Sequence, residues 1–210
     1  MYLFCSLSLS LLAVPLCFVL TSNRKKETYA AIFRCLNKAA SRLDISFQPT
    51  TVVCDFEQAF ISAVDEKVHV SLCLPIRSPI LSSPFSSEQL VNTSITGCWF
   101  HFCQACYRNI QKLGLMNLYE NHTESRQLLR CITGLALLPI HQIYKGFELL
   151  KKKIIRCEYR QQLEMFISYF ENEWFHSFHP STWCVSKKRW RTNNFAEGKL
   201  MILILLYERL

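Results

Sequence analysis

A β-branched run that ends on a carboxylate constrains this fold more than any other feature of the chain. Residues 51–54, Thr-Val-Val-Cys, favour a strand, and Asp55 follows them directly. Apolar residues recur at helical spacing over residues 29–43, and a second helical face follows Asp55. The apolar run at residues 14–20 predicts a buried strand before the first helix. Strands and helices that alternate in this way are typical of an α/β core.

The second half of the chain predicts mainly helices. Residues 95–102 indicate one more strand, and a helix follows it. Three apolar helical faces then lie between residues 120 and 180. Residues 68–92 are rich in Ser and Pro and lack a stable period, so we interpret them as an exposed insertion. These patterns predict an α/β sheet that a helical insertion interrupts.

The N-terminal residues allow two interpretations. Residues 1–20 are apolar enough for a signal peptide or a signal anchor, yet no basic residue precedes them and no clear cleavage site follows. Sequons at Asn92 and Asn121 would suit a secreted protein. Alternatively, residues 1–13 are an atypical segment outside the fold. The eleven cysteines are scattered and odd in number, so they imply no disulfide framework.

The charge of the chain suits a polyanionic partner. The formal net charge is +8. One basic cluster contains Lys187, Lys188, Arg189 and Arg191, and tryptophans at 183 and 190 interleave with it. Cations among exposed aromatic rings suit phosphates and unstacked bases. The alternative is a solvated face over a tryptophan anchored in the core, and both interpretations stay open.

Two carboxylates are candidate metal ligands. Asp55 ends a strand, and Glu197 lies about 140 residues later in a polar context that suits the start of a helix. Carboxylate oxygens are ligands that Mg²⁺ prefers, and two such ions can clamp a phosphodiester. Taken singly, Asp55 could instead be the N-cap of the next helix, and Glu197 a solvated helix residue.

A cluster of soft ligands lies between these acids. Cys98, His101, Cys103 and Cys106 could together complete a tetrahedral zinc site. Their spacing is not that of a common zinc finger, and the segment passes from strand into helix. We therefore favour a packing role for Cys98 and His101 at the strand end, and zinc is not expected.

Together these segments resemble the transposase domain of Mutator-like elements, in the RNase H-like DDE superfamily. The resemblance covers residues 14–198, and the matching segments are residues 14–29, 55–60 and 97–102, Trp183 and residues 191–198. It implies an RNase H-like mixed sheet with a helical insertion before the last catalytic helix. It also implies a nuclear protein that binds transposon ends, with a homo-oligomer possible. Such a protein cuts DNA with Mg²⁺ and joins the freed 3′ hydroxyl to a target.

By this resemblance, Asp55 and Glu197 correspond to the second and third catalytic acids and would bind Mg²⁺. Cys98 and His101 correspond to a signature pair beside the site. The family's first acid lies on a strand upstream of the segment that residues 14–29 resemble. Before Asp55 this sequence has only the carboxylates Glu27 and Asp44, both in or flanking the first helix. The sheet is therefore expected to lack its first strands, and the domain to be partial or decayed and unable to cut.

Other departures from the family pattern accompany this one. Residues 68–92 lengthen a connection that the family makes briefly, and residues 199–210 form an atypical tail.

Two alternative functions remain open. One is a non-catalytic DNA-binding or host-adopted regulatory module. The other is a secreted or membrane-anchored protein that uses the apolar N-terminus.

Overall fold

The computed structural model describes residues 2–9, 12–69, 93–189 and 191–192. The chain divides into two compact units, of which the first takes in Met1–Ile95 and the second is Thr96–Thr192. The described part is mixed α/β and mostly helical, so the predicted α/β class is confirmed. No helix in this described part is both long and apolar enough to cross a bilayer.

The first unit alternates strands and helices. Its described elements, in chain order, are β1 (Tyr2–Leu9), β2 (Leu12–Leu20), α1 (Lys26–Arg42), β3 (Thr51–Cys54), α2 (Gln58–His69) and the start of β4 (Ser94–Gly97). β1 and β2 form an antiparallel hairpin, whose register shifts between Cys5 and Ser6. The predicted strand at residues 14–20 thus lies inside β2, although Leu20 is 75% exposed and is not buried.

A short parallel sheet joins β3 and β4. The Ser94 amide donates to the Thr50 carbonyl at 2.9 Å, and the Thr93 hydroxyl donates to the Pro49 carbonyl. The predicted strand at residues 51–54 is confirmed, because β3 spans the same residues. The strand predicted at residues 95–102 is wrong beyond Gly97, since a helix begins at Trp99. Among the described strands, two separate two-stranded sheets form instead of one mixed sheet.

Helix α1 packs its buried face against α2. Tyr29 and Phe33 contact the Phe60 ring, with ring centroids 5.2 and 5.8 Å apart. The start of α1 is stabilised by Asn23, whose Oδ1 accepts hydrogen bonds from the Lys25 amide and the Thr28 hydroxyl. These contacts hold α1 against α2 and bury Tyr29 between the two helices.

The second unit is built from helices. After β4 it contains α3 (Trp99–Lys112), α4 (Met116–Asn121), α5 (Thr123–Gly134), α6 (Ile140–Ile154), α7 (Arg160–Glu171) and α8 (Pro180–Trp183). A 3₁₀ turn follows α5, and a π-helical turn, Asn172–Ser177, follows α7. The three helices predicted between residues 120 and 180 are confirmed as α5, α6 and α7, because each buries the apolar face that its periodicity indicates.

Aromatic rings form the core of this second unit. The Phe102 ring lies 4.6 Å from Trp174, 5.4 Å from Trp183 and 6.0 Å from Phe170, measured between ring centroids. The Trp183 indole N–H donates to the Trp174 carbonyl, so its one polar atom is paired inside the core. Buried aromatic rings dominate the energetics of such cores. The aromatic core therefore anchors Trp183, the last residue of α8, from which the basic segment continues.

Candidate functional site

Asp55 lies at the carboxyl end of β3 and is exposed. Helix α2 begins at Gln58, and the Glu57 carbonyl accepts the helical hydrogen bond of the Ile61 amide at 3.0 Å. By this hydrogen bond the N-cap position is Glu57, and Asp55 lies two residues before it. The Asp55 carboxylate stands at the exposed strand end, as a metal-binding role requires.

A second carboxylate beside Asp55 is held by a tyrosine. The Tyr29 hydroxyl donates to Glu57 Oε1 at 2.7 Å. Burial raises the pKa of Tyr29 well above its ordinary value, and the bond to Glu57 and the negative charges of Glu57 and Asp55 raise it further, against the opposing charge of Arg24. Both carboxylates thus act on one phenol, so this strand end concentrates negative charge. No sequence signal pointed to Tyr29, which looked like an ordinary core residue of a helix.

The donor chemistry at this strand end fits a hard cation. Asp55 offers exposed carboxylate oxygens, and Mg²⁺ binds through one or two carboxylates while keeping several waters. The Glu57 carboxylate accepts the hydrogen bond of the Tyr29 hydroxyl and is therefore partly engaged. Glu197, the other predicted ligand, lies outside the described residues, so its approach to Asp55 stays a prediction. Among the residues described, no group of three His, Cys, Asp or Glu side chains could hold a metal.

Cys98 and His101 bracket the start of α3. Cys98 is fully buried at the N-cap position, and half-buried His101 lies in the first turn. Burial raises the pKa of Cys103 to about 11, and it also raises the pKa of Cys106. Burial thus favours the neutral thiol over the thiolate at both positions. The four predicted soft ligands are spread along this helix start, which suits the packing role.

The basic cluster separates into exposed cations and one half-buried cation. Lys187, Arg189 and Arg191 are exposed. Lys187 has a backbone φ of +58°, in the left-handed region that glycine adopts more easily. Trp183 is fully buried in the aromatic core, so for this ring the anchored-tryptophan alternative holds. Trp190 lies outside the described residues.

Lys188 differs from its neighbours because its ammonium group points into the unit. Its Nζ donates to Thr96 Oγ1 at 2.8 Å and to the Ser181 carbonyl at 3.3 Å, and burial lowers its pKa. The Arg191 guanidinium donates to the Lys188 carbonyl at 3.2 Å. These bonds fix the backbone from which the exposed cations extend.

The basic segment touches the start of α3. The Trp99 amide donates to the Arg191 carbonyl at 2.7 Å, across 92 positions of sequence. The start of α3, next to Cys98, and the backbone of Arg191 therefore adjoin each other within the second unit. Sequence patterns could not predict this contact, because nothing in either segment specifies the other.

Comparison of the chain with protein-family models, with curated proteins and with solved structures gives no match. The function must therefore be argued from the residues and their geometry.

Proposed function

We propose that this chain is a domain of the Mutator-like transposase type, which binds DNA and, as a chain of these 210 residues, does not cut it. The observation that carries the proposal is the exposed Asp55 at the carboxyl end of β3, between a strand and the helix that follows. An acid at the end of a parallel strand can hold a metal ion against a phosphodiester.

The order of elements supports an RNase H-like core for the first unit. From β2 onward the chain runs strand, helix, strand, helix, strand, and β3 pairs in parallel with β4. A connection of this kind with a helix between two parallel strands is the usual βαβ unit. We propose that β3 and β4 are the parallel pair of that core, and that the helices of the second unit are its insertion.

The exposed cations support DNA as the partner. Lys187, Arg189 and Arg191 extend from a backbone that Lys188 and Trp99 hold in place. Each cation that neutralises a phosphate releases a counterion, so binding should weaken as salt concentration rises. The net charge of +8 adds a long-range attraction to DNA.

We expect these 210 residues alone not to cut DNA because of the acids that they contain. The carboxylates before Asp55 are Glu27 and Asp44. Glu27 lies in the first turn of α1, and Asp44 follows that helix with a φ of +56°, so neither lies on a strand. Since the metal ions stabilise both the attacking and the leaving oxygen, a chain without the first acid should lose most of the rate.

The proposal is tested by the salt dependence of DNA binding. Fluorescence anisotropy of a labelled duplex is measured against the full chain at several NaCl concentrations. We expect the logarithm of the binding constant to fall linearly with the logarithm of salt concentration. A triple variant, Lys187→Gly with Arg189→Gln and Arg191→Gln, should weaken binding. The control variant, Lys152→Gln with Lys153→Gln and Arg156→Gln, removes the same number of exposed charges elsewhere in the unit. Equal losses in the test and control variants would contradict the assigned surface.

A further inference from the structure

A cleft in the second unit has the size of a small-ligand site. It lies between α3, α4 and α5 and has a volume of about 380 Å³. Ligand pockets in proteins commonly measure about 300 to 1,000 Å³. Its lining is mainly aromatic and apolar, with contributions from Trp99, Tyr107, Ile110, Tyr119, Arg130 and Leu137. Neither the proposed metal site nor the basic segment uses this cleft.

The polar groups of the cleft are arranged around one arginine. The Arg130 guanidinium lies 5.5 Å from the centroid of the Tyr119 ring, and its Nε donates to the Tyr119 hydroxyl at 3.3 Å. The Tyr107 ring meets Tyr119 edge to face, with centroids 5.7 Å apart. Within the described chain no carboxylate forms an ion pair with exposed Arg130. The cleft thus combines flat rings with a cation that no carboxylate neutralises.

Trp99 supplies a third aromatic wall of the cleft and is half-buried. Its indole nitrogen has no hydrogen-bond partner among the described residues, but this atom is buried, so it is not open to a ligand and does not count towards binding. A flat aromatic ligand with a negative charge would suit these rings and the Arg130 guanidinium.

We propose that this cleft binds an unstacked nucleobase of a single-stranded nucleic acid, with the adjoining phosphate at Arg130. The inference rests on the proposed function, because it names an unpaired part of the nucleic acid that this domain binds. Aromatic side chains that stack on bases, together with arginine, are the usual means of binding single strands without a sequence requirement. A base carries acceptor atoms on its edges, and its phosphate supplies the anion.

Gly134 gives a way to fill the cleft without disturbing the fold. It lines the cleft at the end of α5, and a Cβ placed there would meet no atom within 4 Å. Its φ of −67° is an ordinary helical value, which any residue adopts. Gly134→Leu should therefore occupy the space that the base needs. Arg130→Gln removes the exposed cation, and Arg156→Gln removes an equally exposed cation outside the cleft.

The test compares strands that differ only in their bases. Binding of the full chain is measured by anisotropy with labelled oligothymidylate and with an abasic oligomer of the same length and charge. We expect the base-containing strand to bind about tenfold tighter, which corresponds to about 1.4 kcal/mol and lies within the range of stacking on one ring. Gly134→Leu should bring this ratio towards one. A ratio near one for the unsubstituted chain would overturn the inference, as would a ratio that Gly134→Leu leaves unchanged.

Further arms separate the sources of the signal. Arg130→Gln should weaken binding of oligothymidylate more than Arg156→Gln does, and equal effects would overturn the phosphate position. If Gly134→Leu lowers the unfolding temperature, the comparison of Arg130→Gln with Arg156→Gln decides the matter. Oligouridylate and oligodeoxyuridylate, which carry the same base, are compared in a parallel series, and the strand that is bound more tightly identifies the sugar.

A duplex arm distinguishes this inference from the proposed function. Gly134→Leu should leave the affinity for duplex DNA unchanged, because the cleft holds a base that has left the stack. If the unsubstituted chain fails to bind duplex DNA, the proposed function is overturned, while a persistent preference for base-containing strands still supports the cleft. If duplex binding is normal and the strand preference is missing, the cleft inference alone is overturned.

Discussion

Two adjacent lysines give a sharp test of the basic segment. Lys187→Gly and Lys188→Met each remove one positive charge, but the two ammonium groups lie in different surroundings. Lys187 is exposed, whereas Lys188 donates to Thr96 and to the Ser181 carbonyl. Only the first charge can reach a phosphate without breaking bonds inside the protein. The two variants should therefore separate DNA binding from stability.

The expected magnitudes follow from these contacts. Loss of one phosphate contact makes the slope of the salt plot shallower by about 0.9. Between about 50 and 200 mM salt, the affinity of the variant should therefore fall by a factor about three to four times smaller than that of the unsubstituted chain. Lys187→Gly should produce this change without loss of stability, because glycine adopts the observed φ of +58° easily. Lys188→Met removes two hydrogen bonds from a charged donor and should cost about 2 kcal/mol. That cost lowers the unfolding temperature by roughly 4–8 °C for a chain of this size.

The assay pairs anisotropy titrations at several salt concentrations with thermal unfolding followed by circular dichroism. We expect Lys187→Gly to reduce the salt slope and to keep the unfolding temperature. Lys188→Met should keep the slope, measured below its unfolding transition, and should unfold earlier. The reasoning would be refuted if both variants reduced the slope equally, or if Lys188→Met were as stable as the unsubstituted chain.

Two further predictions concern the cores of the units. Tyr29→Phe removes the bond to Glu57 and should cost about 1.5 kcal/mol in urea unfolding. Since the folded state raises the pKa of Tyr29 above its ordinary value of 10, stability should be full below about pH 10 and should fall as pH rises further, and this component of the fall should vanish in Tyr29→Phe. If Tyr29→Phe lost as much stability at high pH as the unsubstituted chain does, this prediction would be contradicted. Trp183→Phe removes the hydrogen bond to the Trp174 carbonyl and opens a cavity, so we expect about 2 kcal/mol of destabilisation, and a neutral effect would exclude the anchoring role.

Local sequence patterns were sufficient to predict those elements whose structure depends mainly on their own residues. The β-branched residues of β3 favour a strand in any context, and β3 forms at the predicted residues. Helices α5, α6 and α7 follow the spacing of their apolar residues, because that spacing defines the face that each helix can bury. The α/β class follows from such elements without knowledge of their partners.

Long-range packing decided the rest. Aromatic residues favour strands, yet Phe102 belongs to a helix, where its ring is fully buried against Trp174 and Trp183. Lys188 is a half-buried cation because Thr96, 92 positions away, accepts its hydrogen bond. The Tyr29 bond to Glu57 also joins distant positions. No local pattern contains these pairings, so the site's details required the structure.

Nicking of supercoiled plasmid DNA by the purified chain, with and without Mg²⁺, tests the central claim most directly. The matched control is Asp55→Asn, which keeps the shape of the exposed side chain and removes its charge. The account predicts binding of the plasmid at low salt, and it predicts that the unsubstituted chain and Asp55→Asn nick no faster than a protein-free sample. Mg²⁺-dependent nicking that Asp55→Asn abolishes would contradict it, because two carboxylates would then be enough for the metal chemistry.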